Sequence, residues 1–184
     1  MNTIKTDIEG VLLINLKIYK DNRGFFLEKY QFERYSENGI KDIFVQDNHS
    51  RSYKNVLRGI HYQKINPQSQ LLTLISGSIF DVLVDLRKNS KTFKKWISIY
   101  INEDSDIRQI YMPPGVAHGF CVLSNTSDLH YKVSKKYDSN TEGGLIWNDN
   151  TLNIDWPLRN PILSKQDSLF PSLTELEESD FPDI

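Results

Sequence analysis

The chain has little that would commit it to a cross-linked, metal-rich or membrane-embedded design. Its 184 residues include one cysteine, Cys121, which excludes an intrachain disulfide and a cysteine-based zinc cluster and fits a reducing compartment. Cys121 lies in the apolar run GFCVLS and reads as a packed strand residue. There is no His-x-His run and no Glu a few residues beyond His61, so a metal centre is not favoured. No stretch approaches the ~20 apolar residues of a membrane span. The opening MNTIKTDIEGVLLINLKIYKD mixes acidic and basic residues ahead of a short apolar run, unlike a secretory leader, and the expectation is a cytoplasmic protein. Charge of one sign is also lacking. With 22 basic and 24 acidic residues and a net charge of −2, no broad positive surface offers itself to nucleic acid or an anionic membrane. The length suits a single domain over residues 1–184, with 174–184 expected to be a solvated acidic tail.

What is present is a series of short apolar or alternating runs. GVLLINLKIY, FVQDNHSRS, VLRGIHYQ, QLLTLIS, SIFDVLVDLR, KWISIYI, DIRQIYMP, HGFCVLS and DLHYKVSKKY are rich in residues that favour strands. Turn-forming residues separate them at SG before Ser78, PPG before Val116 and SNTS after Leu123. The count and spacing predict an all-β sandwich or barrel. Helix is expected only in LEKYQFERYSEN and after Leu163, where Ser164 and Asp167 stand at capping-box spacing.

Two histidines lie in apolar settings, His61 in VLRGIHYQ and His118 in YMPPGVAHGF, and three readings are open for them: metal site, acid/base site or packed core. Strict alternation would place Arg58 and His61 on opposite strand faces, but Gly59 lies between them. A glycine bulge there would bring a fixed cation and a titratable base into one cavity. His118 is expected to begin its strand at the mouth of the barrel. Tyr131 shares a strand face with Leu129 and Val133 and is expected to point inward. His49 and His130, in NHS and DLH, read as surface or supporting residues.

The ordered motifs DNRGFFLE (21–28), FVQDNHS (44–50), VLRGIHYQ (56–63), FDVLVDLRKNSKTF (80–93), PPGVAHGF (113–120), YKVSKKYDSNTEGGLIWND (131–149), IDWP (154–157) and LSKQD (163–167) resemble the dTDP-4-dehydrorhamnose 3,5-epimerase family over residues 8–172. The resemblance implies a cupin-type double-stranded β-helix, or jelly-roll, that forms a homodimer, uses no metal or organic cofactor, and acts on a nucleotide-diphosphate 4-keto sugar in surface polysaccharide, lipopolysaccharide or capsule synthesis. It implies His61 as base, Asp167 as the carboxylate behind it, and Tyr131 as the acid on the other face of the sugar. His118 matches a residue near the keto oxygen. Arg23, Glu28, Gln46, Asp47, Asn48, Arg58 and Glu142 match positions that hold the nucleotide, its phosphates or the sugar, and Tyr137 matches an aromatic that stacks on the base.

The chain departs from that pattern at the substrate. Gln70 stands where the family usually has a lysine that stabilises the enolate oxygen, and Gln166 stands at a second lysine position beside Lys165. The loop INPQSQ is one residue shorter than the usual form. These departures leave a dTDP-linked 6-deoxy sugar and a GDP-linked 4-keto heptose both open as substrate. Inversion at C3 alone, a 3,4-ketoisomerase and a non-catalytic sugar-binding cupin are the competing readings.

Overall fold

The alternating runs become thirteen strands in a computed structural model that describes residues 1–184. They are β1 (Asn2–Lys5), β2 (Leu12–Asn15), β3 (Ile18–Asp21), β4 (Gly24–Leu27), β5 (Gln46–Tyr53), β6 (Leu57–Gln63) and β7 (Gln70–Ser76). Then follow β8 (Ser78–Asp85), β9 (Trp96–Asn102), β10 (Ile107–Met112), β11 (Val116–Val122), β12 (Thr126–Val133) and β13 (Glu142–Gly144). Six strands form one sheet in the order β1-β2-β10-β7-β12-β5, five form a second in the order β13-β6-β11-β8-β9, and β3 and β4 make a separate hairpin. All pairings within the sheets are antiparallel. The result is the expected all-β cupin-type jelly-roll.

Side-chain alternation sorts the sequence into layers. Leu72 and Leu74 of β7, Ile79 and Leu83 of β8, Ile110 and Met112 of β10, and Val116 and Phe120 of β11 meet between the sheets in one core cluster. The opposite faces of β6, β8 and β11 supply Leu57, Ile60, Val82, Val84, Ala117 and Cys121 to a second cluster, closed by Leu152, Trp156 and Leu173 from the C-terminal segment. A third, smaller cluster joins Ile14, Leu71 and Tyr111 on the outer face of the six-stranded sheet to Tyr35 and Ile40. One end of the inter-sheet layer is left to polar side chains, and there the cavity forms.

The break in parity that shapes the cavity lies in β6. Gly59 has φ +115°, and a Cβ on it would lie 2.5 Å from the Gly119 Cα and 2.7 Å from the His118 carbonyl oxygen. The β6–β11 register shifts at that point, between the pairs His118–His61 and Phe120–Arg58. Leu57, Ile60 and Tyr62 therefore share the outer core, while Arg58, His61 and Gln63 all line the cavity. This is the bulge that the glycine suggested.

Five expectations need correction. The run GVLLINLKIY is two strands, β2 and β3, because Leu16 turns into the third core cluster between them. The helix in LEKYQFERYSEN is confined to α1 (Phe32–Glu37): Gln31 caps its start by accepting from the Arg34 N–H at 2.8 Å, and Gly39 at φ +92° follows its end. His118 is the third residue of β11 rather than its first. After Leu163 there is no α-helix, only turns interrupted by Pro171 and a 3-10 turn at Glu178–Asp180. The last residues are also docked rather than free. The Tyr62 hydroxyl donates to the Asp180 carbonyl at 2.9 Å, the Asp183 N–H donates to the Lys64 carbonyl at 2.8 Å, and Leu176 and Phe181 pack on the second cluster.

Candidate active site

A cavity of about 460 Å³ opens at the polar end of the inter-sheet layer. Its walls follow from strand alternation: Gln46, Asn48 and Ser50 from β5, Arg58, His61 and Gln63 from β6, Gln70 and Leu72 from β7, His118 and Phe120 from β11, and Tyr131 from β12. Tyr62 of β6 also borders it, and Glu142 of β13 closes it together with Gln68, Tyr137, Ser164, Gln166 and Asp167 from the connecting segments. Arg58 is the only permanently cationic side chain in this wall. Its Nε donates to the Ser52 hydroxyl at 2.9 Å, which leaves the two terminal amino groups without a protein acceptor.

His61 and His118 are register partners on adjacent strands, and each is backed by a buried carboxylate. His61 Nε2 meets Asp167 Oδ1 at 2.5 Å, and His118 Nε2 meets Asp81 Oδ2 at 2.7 Å. The Asp167 side chain is 5% exposed and that of Asp81 is fully buried, whereas His61 keeps about a third of its surface open (34%). Burial works to raise the Asp167 pKa, but the His61 hydrogen bond and charge, with help from Ser164 and the Gly59 backbone, outweigh it and hold the carboxyl below its usual range. At Asp81 burial wins, and the carboxyl is raised in spite of His118. Its Oδ1 has no hydrogen-bond partner in the protein. The Ser164–Asp167 spacing forms a local turn in which the Ser164 hydroxyl accepts from the Asp167 N–H at 3.0 Å.

Burial also raises the Tyr131 phenol, a shift that nearby Arg58 opposes and Glu142 adds to. The phenol is therefore protonated at neutral pH. At the rim Glu142 Oε2 accepts from the Tyr137 hydroxyl at 2.9 Å and from Gln166 Nε2 at 2.8 Å. Gln46 Oε1 accepts from the Tyr137 N–H at 3.2 Å, and Gln46 Nε2 donates to Asn48 Oδ1 at 2.9 Å. Burial and the bond to Glu142 push the Tyr137 phenol up to about 12. No cluster of three or more His, Cys, Asp or Glu stands at metal-binding spacing.

Three of the residues singled out from the sequence stand elsewhere. Asp47 alternates to the outer face of β5, where it pairs with Lys132 at 2.6 Å, so it does not share the cavity with Gln46 and Asn48. Glu28 sits beside Arg34 at 2.6 Å, below the hairpin and outside the cavity. Arg23 lies in the β3–β4 turn with its side chain 85% exposed, held by Asp21 at 2.5 Å. Conversely, Ser50, Gln63, Gln68 and Asp81 were not singled out. Alternation from Asn48 would have found Ser50, and an aspartate inside the apolar run SIFDVLVD was the legible sign of a buried, paired carboxylate.

Comparison with known proteins points to a single family. The family model for dTDP-4-dehydrorhamnose 3,5-epimerase matches residues 5–175. The chain is similar to a dTDP-4-dehydrorhamnose 3,5-epimerase of Shigella flexneri, with 46% identity over 170 residues that span 91% of this chain and 93% of the relative. Among solved structures, a dTDP-6-deoxy-D-glucose-3,5-epimerase of Legionella pneumophila in complex with dTDP-4-keto-L-rhamnose superposes with a TM-score of 0.94 and 42% identity, covering 100% of this chain and 98% of that one. A dTDP-4-dehydrorhamnose 3,5-epimerase of Bacillus anthracis with TDP and PPi bound gives 0.89 and 40%, covering 94% and 99%.

The depressed Asp167 pKa has a direct consequence for stability. A carboxyl lowered on folding stabilises the native state above its unfolded pKa, and that contribution is lost as pH falls through the folded value. Asp167→Asn is expected to cost about 1.5–3 kcal/mol at pH 7, the range for a hydrogen bond to a charged group. Urea unfolding of both proteins across pH should show the gap shrinking as pH falls below the usual carboxylate range and the folded-state carboxyl takes up its proton. A gap independent of pH would contradict this.

Proposed function

The chain belongs to the dTDP-4-dehydrorhamnose 3,5-epimerase family, and from that premise we propose that it inverts C3 and C5 of a dTDP-linked 4-keto-6-deoxy sugar, with His61 as base and Tyr131 as acid. The enzyme is an isomerase, a carbohydrate epimerase. The observation that carries the finer reading is the His61–Asp167 pair, opening into a cavity that also holds a protonated, buried tyrosine.

The C4 ketone acidifies the hydrogens on C3 and C5. His61, kept in one tautomer by Asp167, takes a proton to form an enolate, and Tyr131 returns one to the opposite face of the ring. Each positioned group contributes about 10²–10⁴-fold. Charge building on the C4 oxygen needs donors nearby. With Gln70 in place of a lysine, the supply in this cavity is the Arg58 guanidinium, the His118 imidazole and neutral amides such as Gln70. The same guanidinium is suited to the diphosphate, and the rim formed by Gln46, Asn48, Tyr137, Glu142 and Gln166 to the nucleoside.

Arg23 and Glu28 keep a place in this reading through a second copy of the chain. The β3–β4 hairpin joins neither sheet and exposes Phe25 (59%) and Phe26 (69%). In the proposed homodimer a partner covers these rings, and Arg23 and Glu28 serve the partner's cavity; Asp47, with Lys132, lies on the outer sheet face and supports the wall from behind. No helix is long and apolar enough to cross a membrane, and a cytoplasmic enzyme that supplies surface polysaccharide synthesis is the setting that fits.

In heavy water the enzyme is expected to place deuterium at both C3 and C5 of the dTDP sugar, read by NMR, and His61→Asn to abolish this while remaining folded. Wash-in at C3 alone would reduce the activity to a single-centre epimerisation, a product with its carbonyl at C3 would indicate a ketoisomerase, and no wash-in at either carbon would leave a sugar-binding protein. Calorimetric titration is expected to rank dTDP at least about tenfold tighter than GDP or UDP, a difference of about 1.4 kcal/mol. Tighter binding of GDP would move the substrate to the GDP-linked heptose.

A further inference from the structure

His61 is tied to the protein by one ring hydrogen bond, from Nε2 to Asp167. Nε2 lies nearer the Cβ–Cγ axis, about which the ring turns, than Nδ1 does. The bond therefore holds the tip of the ring while restraining rotation of its plane only weakly. Nδ1 has no hydrogen-bond partner in the protein, so the direction of its lone pair depends on that plane.

A second contact bears on the plane. The Phe170 ring packs on the imidazole with centroids 5.4 Å apart and planes at 64°, within the tilted, edge-to-face geometry that aromatic pairs favour. Phe170 is itself seated on bare backbone. A Cβ at Gly144 would fall 2.5 Å from its Cε2 and Cζ and 2.6 Å from its Cδ1. Gly144 is also the register partner of His61 across β6 and β13. The φ of Gly144 is outside the left-handed region, so a glycine is not required there by the backbone, and the phenyl ring fills the space a side chain would take. Pro171, the residue after Phe170, is pinned as well, because its carbonyl accepts from the Ile146 N–H at 2.9 Å.

We propose that Phe170, seated on Gly144, is a positioning residue that fixes the plane of the His61 imidazole and so trains Nδ1 on the cavity, while Asp167 fixes the ring's tip. The inference rests on the reading of His61 as the base. A base that is free to turn spends most of its time misaligned, and misplacement on the scale of 1 Å is enough to cost about 100-fold.

The test compares Phe170→Leu, Phe170→Tyr, Phe170→Ala and Gly144→Ala by steady-state epimerisation of the dTDP sugar and by carbon–proton NMR of the His61 ring. Phe170→Leu keeps bulk but loses the ring, and is expected to lower kcat about 10- to 100-fold with KM little changed. Phe170→Tyr keeps the ring and should restore most of kcat. The His61 ring signals should shift and broaden in Phe170→Leu but not in Phe170→Tyr. Gly144→Ala should slow the wild-type enzyme by displacing Phe170, yet cost nothing further in the Phe170→Ala background, where the space is open. Wild-type kcat in Phe170→Leu, or an equal Gly144→Ala loss in both backgrounds, would overturn the positioning role. These outcomes are separable from failure of the base assignment, which retained exchange in His61→Asn would signal instead.

Discussion

Between Arg58 and His61 the β6 backbone passes so close to β11 that no side chain fits on Gly59, and a Cβ at Gly119 would be crowded at 3.1 Å from the Arg58 carbonyl oxygen. This contact is what lets two residues three apart in sequence face the same way. Strict alternation would have sent one of them outward among Leu57, Ile60 and Val82, where a guanidinium or an imidazole would be buried without a partner. The shift instead gathers Arg58, His61 and Gln63 on one wall, and the Gly59 backbone helps to stabilise the Asp167 carboxylate that holds His61. One backbone approach thus serves the cation, the proposed base and the base's anchor together.

The two imidazoles that meet across β6 and β11 are held differently. Asp167 is held as a carboxylate by several donors, so it presents His61 with a charged hydrogen-bond acceptor. Asp81 lies deeper, has an unpartnered oxygen, and is pushed by burial toward its neutral form. Those environments suit different tasks: a base that must accept a proton, and a neighbour that orients a hydrogen bond toward the substrate's oxygen. Phe120, stacked on His118 with centroids 5.9 Å apart, and Phe170 on His61 give each ring an aromatic wall in addition to its carboxylate.

Much of this was legible in the sequence because strand alternation is a local signal. The run QLLTLIS was bounded to the residue, SIFDVLVDLR overran its strand only by Leu86 and Arg87, and the inward direction of Tyr131 followed from Leu129 and Val133. The meeting of Ser164, Asp167 and His61 was not readable from periodicity. It joins residues 106 apart, and only likeness to known sequences linked them in advance. β1, β4 and β13 were missed because they are three or four residues long and their pairing is decided by neighbours rather than by their own composition. The acidic C-terminus read as solvated because its glutamates dominate the composition, while Leu173, Leu176 and Phe181, spaced among them, carry the docking. Asp47 shows the limit of carrying positions over in a block: three consecutive strand residues cannot all face one cavity.

The central claim is that proton removal and proton return belong to two groups, His61 and Tyr131, working on opposite faces of the sugar. Tyr131→Phe separates them. With His61 intact and about a third exposed to solvent, this variant is expected to exchange the substrate's acidic hydrogen for deuterium in heavy water while returning the sugar uninverted. Inversion at an undiminished rate in Tyr131→Phe, or loss of exchange together with inversion in a folded protein, would contradict the division of labour.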